Sequence, residues 1–599
     1  MCSILGYYNT KQSFKEIEKL NITLSHRGPD NSTIKTYNFK NRDLFLAHNR
    51  LAIQDLDAKA NQPMQSQRFS IVFNGEIYNH LELRKKCNNS WKTHSDTETL
   101  LILFEKFGIE KTLSMLIGMF AIALFDKVEQ KLYLIRDRVG IKPLYWTHQN
   151  GEFAFASELK GFAPHLKENR SDKALIEFMS FGYAPADNSY YKDIYKLEAG
   201  HYLIFNGNGV YKKRYWHLPK DKIDIGYEDA VIEAEKIIRS SIKYRLLSDV
   251  EVGSFLSGGI DSSIVSSIMQ QSTNKTIKTF TIGFEDKRYN EASFARDVAK
   301  HIGSDHYEYI FKVDDVISLM DSMDRYYDEP FGDASALPTM LLSKFTKDKV
   351  TVALSGDGGD ELFLGYNRYF FTYKYYNLLK KMPKLSRDIL SSICKVSNID
   401  RLEKMAYPIK NLTHENLYSV MSTYTKPWEM ESIFNSEFVR DSFKKSSYLE
   451  FQEIVEFNSC DIFDNYSKID FYRYLPDDIL TKVDRASMRY SLEARVPLLD
   501  HRLVEFAYSL PTEVKLKYGA KSILKDILYK QVPRELVDRP KMGFAVPLKE
   551  WFRGDMREIL ADKIESLDNR FNKNYLRKLF TEHQKGKNYE YIFWNLMRL

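Results

Sequence analysis

Cysteine is scarce in this chain, with four in 599 residues, at positions 2, 87, 394 and 460. None forms a C-x-x-C pair, and so thin a scatter excludes a disulfide framework and a cysteine zinc site. Long apolar runs are missing too. No stretch approaches about 18 residues without a charge, which excludes a membrane-spanning helix. The start shows no basic segment followed by an apolar one and reaches Lys11 and Gln12 early. A secretory signal is therefore not expected, and the cytoplasm is the expected setting. The net charge is a mild +6 and no dense Lys/Arg run occurs, so a nucleic-acid groove is not expected either. Internal repeats and low-complexity tracts are absent.

The chain is too long for one compact core, and its texture divides it in two. Residues 1–215 read as β-rich. Ser70–Phe73 runs through Asn74-Gly75 into Glu76-Ile77-Tyr78, and the runs GMFAIALFD and KLYLIRD flank Lys127–Gln130 as a hairpin. EFAFAS and HYLIFN add further strands, and Thr97–Phe107 is apolar at helical spacing. After Trp216 the polar stretch LPKDKIDIGYED reads as a linker, followed by an amphipathic helix over Ala230–Leu247. Strand–loop–helix units then appear in EVGSFLSGGIDSSIVSSIM, KTFTIGF and KVTVALSGDGGDE. β-branched runs ending in glycine-rich loops predict a parallel sheet with helices on its faces, over 225–599. From Leu362 onward the chain reads as helical, broken by proline at 383, 408 and 427.

A cysteine directly behind the initiator methionine asks for an explanation, since a terminus is the least ordered part of most domains. Removal of Met1 leaves Cys2 with a free α-amine of pKa about 7.7–8.0. That amine is a base built in beside a thiol that is otherwise only a few per cent ionised at neutral pH. Taken alone, Cys2 reads first as a small apolar residue in a first strand.

Its neighbours decide otherwise. SHRGPD (Ser25–Asp30), HNRLAIQDL (His48–Leu56), FNGEIYNH (Phe73–His80), SDTE (Ser95–Glu98) and RDRVGIKPLYW (Arg136–Trp146) follow in order. With Cys2 they resemble the glutaminase domain of class II glutamine amidotransferases, which are N-terminal-nucleophile hydrolases. The resemblance implies an αββα sandwich in which Cys2 attacks the side-chain amide of glutamine. It makes the Asn74 side chain and the Gly75 backbone N–H the oxyanion donors. It also assigns Arg50 to the substrate carboxylate and Glu76 and Asp96 to the substrate ammonium.

In the second half, Ser257-Gly258-Gly259-Ile260-Asp261-Ser262-Ser263 follows an apolar strand and precedes a helical run. Glycines there let N–H groups turn toward an anion at a helix N-terminus. The pattern is not the Walker loop. It is similar to the SGGxDS loop of ATP pyrophosphatases, which adenylate a carboxylate. A second loop, Ser355-Gly356-Asp357-Gly358-Gly359-Asp360-Glu361, stacks acids at a strand end. Acids beside phosphate need a hard cation between them, so Mg²⁺ is expected on Asp261 and Asp360.

The stretches Asp477–Asp500, Tyr518–Leu528 and Asp538–Arg553 extend the likeness to the synthetase domain of glutamine-dependent asparagine synthetases. That resemblance implies an adenine-nucleotide α-hydrolase-like parallel sheet with helical additions and ATP as substrate. It implies an adenosine pocket at Leu256, Ile282, Ser355 and Gly356, and Lys521 and Glu493 at the adenylate. Aspartate is the implied acceptor, and relatives of this kind are often homodimers. One departure stands out. The best-studied asparagine synthetases carry GEGSDE where this chain has GDGGDE, so Asp357 replaces a glutamate and draws the charge back by one methylene. Relatives with GDGGDE include both asparagine synthetases and enzymes that amidate sugar carboxylates in surface-polysaccharide biosynthesis, which leaves a uronic acid as the alternative acceptor.

Overall fold

The computed structural model describes residues 2–166, 169–185, 187–285, 290–311, 313–397, 399–435, 438, 461–539 and 546–599. Cys460 and positions 540–545 of the Asp538–Arg553 stretch lie outside the described residues. The other three cysteines are free and buried.

Twelve strands build the front of the molecule: β1 (Ser3–Tyr8), β2 (Asn31–Phe39), β3 (Arg42–Arg50), β4 (Met64–Gln65), β5 (Phe69–Ile77), β6 (Gly118–Asp126), β7 (Lys131–Arg136), β8 (Tyr145–Gln149), β9 (Glu152–Ala156), β10 (Tyr195–Lys196), β11 (His201–Phe205) and β12 (Val210–Arg214). They form two six-stranded sheets, ordered β10-β8-β9-β1-β3-β2 and β12-β11-β7-β6-β5-β4. The expected hairpin is β6–β7, paired from Ala121↔Arg136 to Asp126↔Lys131. Asp126 Oδ1 fixes its turn by accepting from Val128 N and Glu129 N, both at 3.0 Å.

Period-two apolar residues give each sheet one face toward the other, so Ile4, Leu44 and Leu46 meet Val72, Ala121 and Leu134 in a dry layer. The outer face of one sheet is covered by the helix Phe14–Thr23. The outer face of the other is covered by the helix Asp96–Met115. This is the expected four-layer αββα arrangement. The predicted helix Thr97–Phe107 is the first half of Asp96–Met115, and Gly108, at φ +71°, kinks the join to the second half.

The polar linker carries no regular structure until the helix Tyr227–Arg245, which starts three residues earlier than its apolar spacing suggests because Gly226 serves as its N-cap. The rear sheet is fully parallel. Its strands are β13 (Val252–Phe255), β14 (Lys278–Phe284), β15 (Asp305–Phe311), β16 (Val352–Leu354) and β17 (Glu493–Arg495), in the order β15-β14-β13-β16-β17. The helix Ile260–Gln271 packs on one face, and the helix Ala336–Lys347 on the other. Helices fill the remainder. Pro383 and Pro427 stand at helix starts as expected, but Pro408 lies inside the helix Asp400–Lys410. It sits near the helix end, where the missing N–H removes a single hydrogen bond.

Front and rear share one apolar core. Leu51, Ile53, Tyr78 and Met119 pack in the same cluster as Leu256, Leu354 and Val496.

Candidate active sites

Cys2 precedes β1 and is 8% exposed. Its backbone N–H donates to Asn74 Oδ1 at 3.0 Å, and its sulfur lies 4.0 Å from the Leu51 carbonyl oxygen. Burial pushes the thiol up. No histidine hydrogen-bonds it among the described residues; His48, nearby on β3, is pressed down to about 3 by burial and bonds Phe73 O at 3.2 Å. Asn74 is wholly buried on β5, and its Nδ2 has no partner among the described residues. An unmade buried amide donor costs on the order of 1–3 kcal/mol. Beside a thiol, such a group has the placement that an oxyanion donor needs. Gly75 follows at φ +153°, where a β-carbon would stand 2.0 Å from the Met119 carbonyl oxygen, so only glycine fits.

Two acids flank this corner. Glu76 is on β5, and Asp96 opens the helix Asp96–Met115, where its Oδ2 accepts from Ile77 N at 2.8 Å. Burial raises both: Asp96 to about 6, and Glu76 well above the ordinary range, with repulsion from Glu493 and Asp96 adding to it. Carboxylates raised in this way are poised for a cation. Arg50, at the end of β3, spends its terminal nitrogens on protein oxygens. Nη1 donates to Asp57 O at 2.9 Å and Asn61 Oδ1 at 2.8 Å, and Nη2 donates to Asp55 O and Gln54 O.

The rear loops meet at the C-terminal end of the parallel sheet. Gly259 caps the helix Ile260–Gln271, and Gly258 at φ +74° turns the loop where a side chain would strike Ala295 N. Ser257 and Ser262 join their hydroxyls at 2.9 Å. A side chain at Gly356 would lie 2.7 Å from Ser262 N, so the two loops touch. Lys521 sits between them in a left-handed conformation (φ +57°) and pairs with both Asp261 and Asp360, the latter at 2.8 Å. Burial opposes its charge, but the two acids more than offset that, and its pKa is raised. Ser355 Oγ donates to Asp357 Oδ2 at 2.5 Å, and burial raises Asp357. Leu256 and Ile282 are both buried, but their side chains belong to the cores on opposite sheet faces.

Asp261 and Asp360 are close enough to share one ammonium, and so to share a hard cation that also takes phosphate oxygens. That two-acid arrangement is typical of Mg²⁺. Among the described residues no group of three or more His, Cys, Asp or Glu forms a closed cage.

Glu493 lies against the front domain. It bonds Arg495 Nε at 2.6 Å, and Arg495 Nη2 is 3.7 Å from Glu76. Burial would raise Glu493, yet the amino terminus, Arg495 and Lys142 hold it down at about 2. Sequence reasoning gives no role to Arg27, Glu158, Lys482, Asp484 or Arg495, although every one except Glu158 lies within a motif named above. For Lys482, Asp484 and Arg495 the available signal is that they are charges embedded in a stretch rich in apolar residues, since unpaired charges do not survive in such company.

No helix among the described residues is long and apolar enough to cross a membrane. Residues 233–599 match a family model described as asparagine synthase, and residues 1–216 match one described as a glutamine amidotransferase domain. A Methanocaldococcus jannaschii protein, provisionally named a glutamine-hydrolyzing asparagine synthetase 2, is 36% identical over 514 residues, covering 82% of this chain and 98% of that one. Asparagine synthetase (glutamine-hydrolyzing) 1 of Bacillus subtilis is 30% identical over 616 residues, covering 98% and 94%. Amidase chry2 of Gibberella zeae is 26% identical over 616 residues, covering 93% and 88%.

Proposed function

Since the chain belongs to the asparagine synthase family, with a glutamine amidotransferase domain in front, we propose that it makes asparagine from aspartate, with glutamine as nitrogen donor and ATP as activator. At the front site, with Met1 removed, the α-amine of Cys2 takes the thiol proton. The sulfur attacks the glutamine amide carbon, and Asn74 Nδ2 and Gly75 N–H receive the oxyanion. Ammonia leaves with a proton, and water cleaves the thioester to glutamate. Glu76 and Asp96 hold the substrate ammonium. The carboxylate goes to Arg50, reaching its Nε–H or replacing one of the carbonyls now bonded there.

At the rear site the acceptor carboxylate attacks the α-phosphorus of ATP, pyrophosphate leaves, and ammonia displaces AMP from the acyl carbon. The SGGIDSS loop and its helix N-terminus hold phosphate oxygens. Asp261 and Asp360 would hold Mg²⁺, which neutralises phosphate charge when bound. Lys521 keeps its proton and supplies a fixed positive charge to the same oxygens. Ammonia is small and uncharged, so it can pass between the two halves where their apolar residues pack together.

The observation that carries this reading is the buried Asn74 Nδ2, without a partner among the described residues and beside Cys2. One other feature favours a uronic-acid acceptor. A cavity of about 290 Å³, larger than aspartate needs, lies among the C-terminal helices and is lined by Arg368, Tyr418, Tyr424, Asp470 and Tyr474. Tyrosine rings and an arginine suit a carboxylated sugar. The deciding experiment supplies glutamine, ATP and Mg²⁺ to the purified chain. Pyrophosphate release that depends on aspartate supports asparagine synthesis; release with a uronic acid but not aspartate supports the second acceptor.

A further inference from the structure

One nine-residue helix, Leu480–Met488, touches both sites. Lys482 and Asp484 are two positions apart on it, so about 200° separates their side chains around the axis. On the rear side, Lys482 Nζ donates to Asp333 Oδ2 at 2.8 Å and Ser335 Oγ at 2.9 Å, and its charge reaches Asp357. On the front side, Asp484 receives Arg27 with both oxygens, at 2.7 and 3.0 Å. Arg27 in turn donates from Nε to the carbonyl oxygen of Cys2 at 3.1 Å. Arg485, next along the helix, holds Glu158 at 2.8 Å, and Glu158 also receives Arg27 at 2.8 Å. Arg27, Glu158, Asp484 and Arg485 are all buried.

A nucleophile at the very start of a chain is prone to fray. From Ser3 onward β1 is held by pairing with β3, but Cys2 itself is held by Asn74 on one side and Arg27 on the other. The second of these holds is fixed from the other domain. A guanidinium gripped end-on by a carboxylate has one orientation. Without Asp484, Arg27 would keep Glu158 as its one carboxylate among these contacts, on a single nitrogen, and lose that orientation.

We propose that Asp484 is a positioning residue for Cys2, acting through Arg27, and that the helix Leu480–Met488 ties glutamine hydrolysis to the occupancy of the rear site. The inference rests on Cys2 being the glutamine nucleophile. Phosphates or an activated acceptor arriving beside Asp357 and Lys482 change the pull on one face of the helix, and the opposite face carries that change to Arg27. Misplacement of a reacting atom by about 1 Å costs on the order of 100-fold in rate.

The test uses the full chain as wild type, Asp484→Asn and Asp484→Glu. Glutamate release is measured against glutamine concentration, with and without ATP, alongside ATP affinity by calorimetry. Wild type that releases no glutamate overturns the reading of Cys2 itself, before the variants are compared. The expected result for Asp484→Asn is a kcat lowered about 10- to 100-fold, with glutamine KM and ATP Kd each within about 2-fold of wild type. Asp484→Glu is expected to recover part of the rate. ATP is expected to change the wild-type rate and to leave the Asp484→Asn rate unchanged. An unaltered kcat in Asp484→Asn overturns the proposal, as does a loss of ATP affinity in parallel with kcat. A wild-type rate indifferent to ATP overturns the link between the sites. If Asp484→Asn does not fold, the kcat and ATP Kd of Asp484→Glu decide the proposal by the same criteria.

Discussion

At Gly75 the backbone stands at φ +153°, and the space for a β-carbon is already taken by the Met119 carbonyl. Gly75→Ala therefore combines a left-handed strain with a backbone clash, and is expected to cost about 3 kcal/mol or more. Denaturant unfolding of the variant measures the loss, and glutamine hydrolysis should fall with it. Asp96 gives a pH prediction. Its folded pKa of about 6 lies above the ordinary value because burial disfavours the charge. The substrate ammonium needs the ionised form, which is present above that pKa and lost as pH falls through it. Glutamine KM should therefore rise between pH 7 and pH 5 while kcat changes less. An ordinary aspartate would hold KM flat down to about pH 4.5, and a flat profile would remove Asp96 from the ammonium site.

At the scale of the element, β5 carries the two proposed oxyanion donors and Glu76 within three consecutive residues. Their spacing along one strand is why this part of the site is legible in the sequence. The turn of β6–β7 is legible for a similar reason, because Asp126 caps it locally. Pro408 leaves most of its helix intact because only two helical residues follow it, and the sequence does not mark where that end falls. A motif points to Lys521, but its left-handed backbone and its place between two acids are tertiary facts. In the phosphate loop, Gly258→Ala places a β-carbon 2.8 Å from Ala295 N at φ +74°. That change is expected to weaken ATP binding about 10-fold or more while glutamine hydrolysis stays within about 2-fold, as calorimetry and a glutaminase assay would show.

At the scale of the whole molecule, the division into a β-rich front and a parallel-sheet rear is readable from hydrophobic period and glycine-rich loops. How the halves meet is not. Arg27 pairs with Asp484 across 457 positions of sequence, and Arg495, paired with Glu493, reaches Glu76 from the edge of the rear sheet. Local pattern holds no trace of such pairings, which are settled by the packing of one domain on the other. Arg27–Asp484 and Arg495–Glu493 are buried pairs of opposite charge, the condition under which interior charges are tolerated.

The central claim is that nitrogen released at Cys2 is consumed at the rear site. The direct measurement follows glutamate, pyrophosphate and amide product together, with glutamine or ammonium as donor, for wild type and Cys2→Ala. The account predicts near-equal amounts of all three from glutamine in wild type. In Cys2→Ala it predicts no product from glutamine and undiminished product from ammonium. Amide product formed from glutamine by Cys2→Ala, or glutamate released by wild type without matching pyrophosphate when ATP and acceptor are saturating, would contradict it.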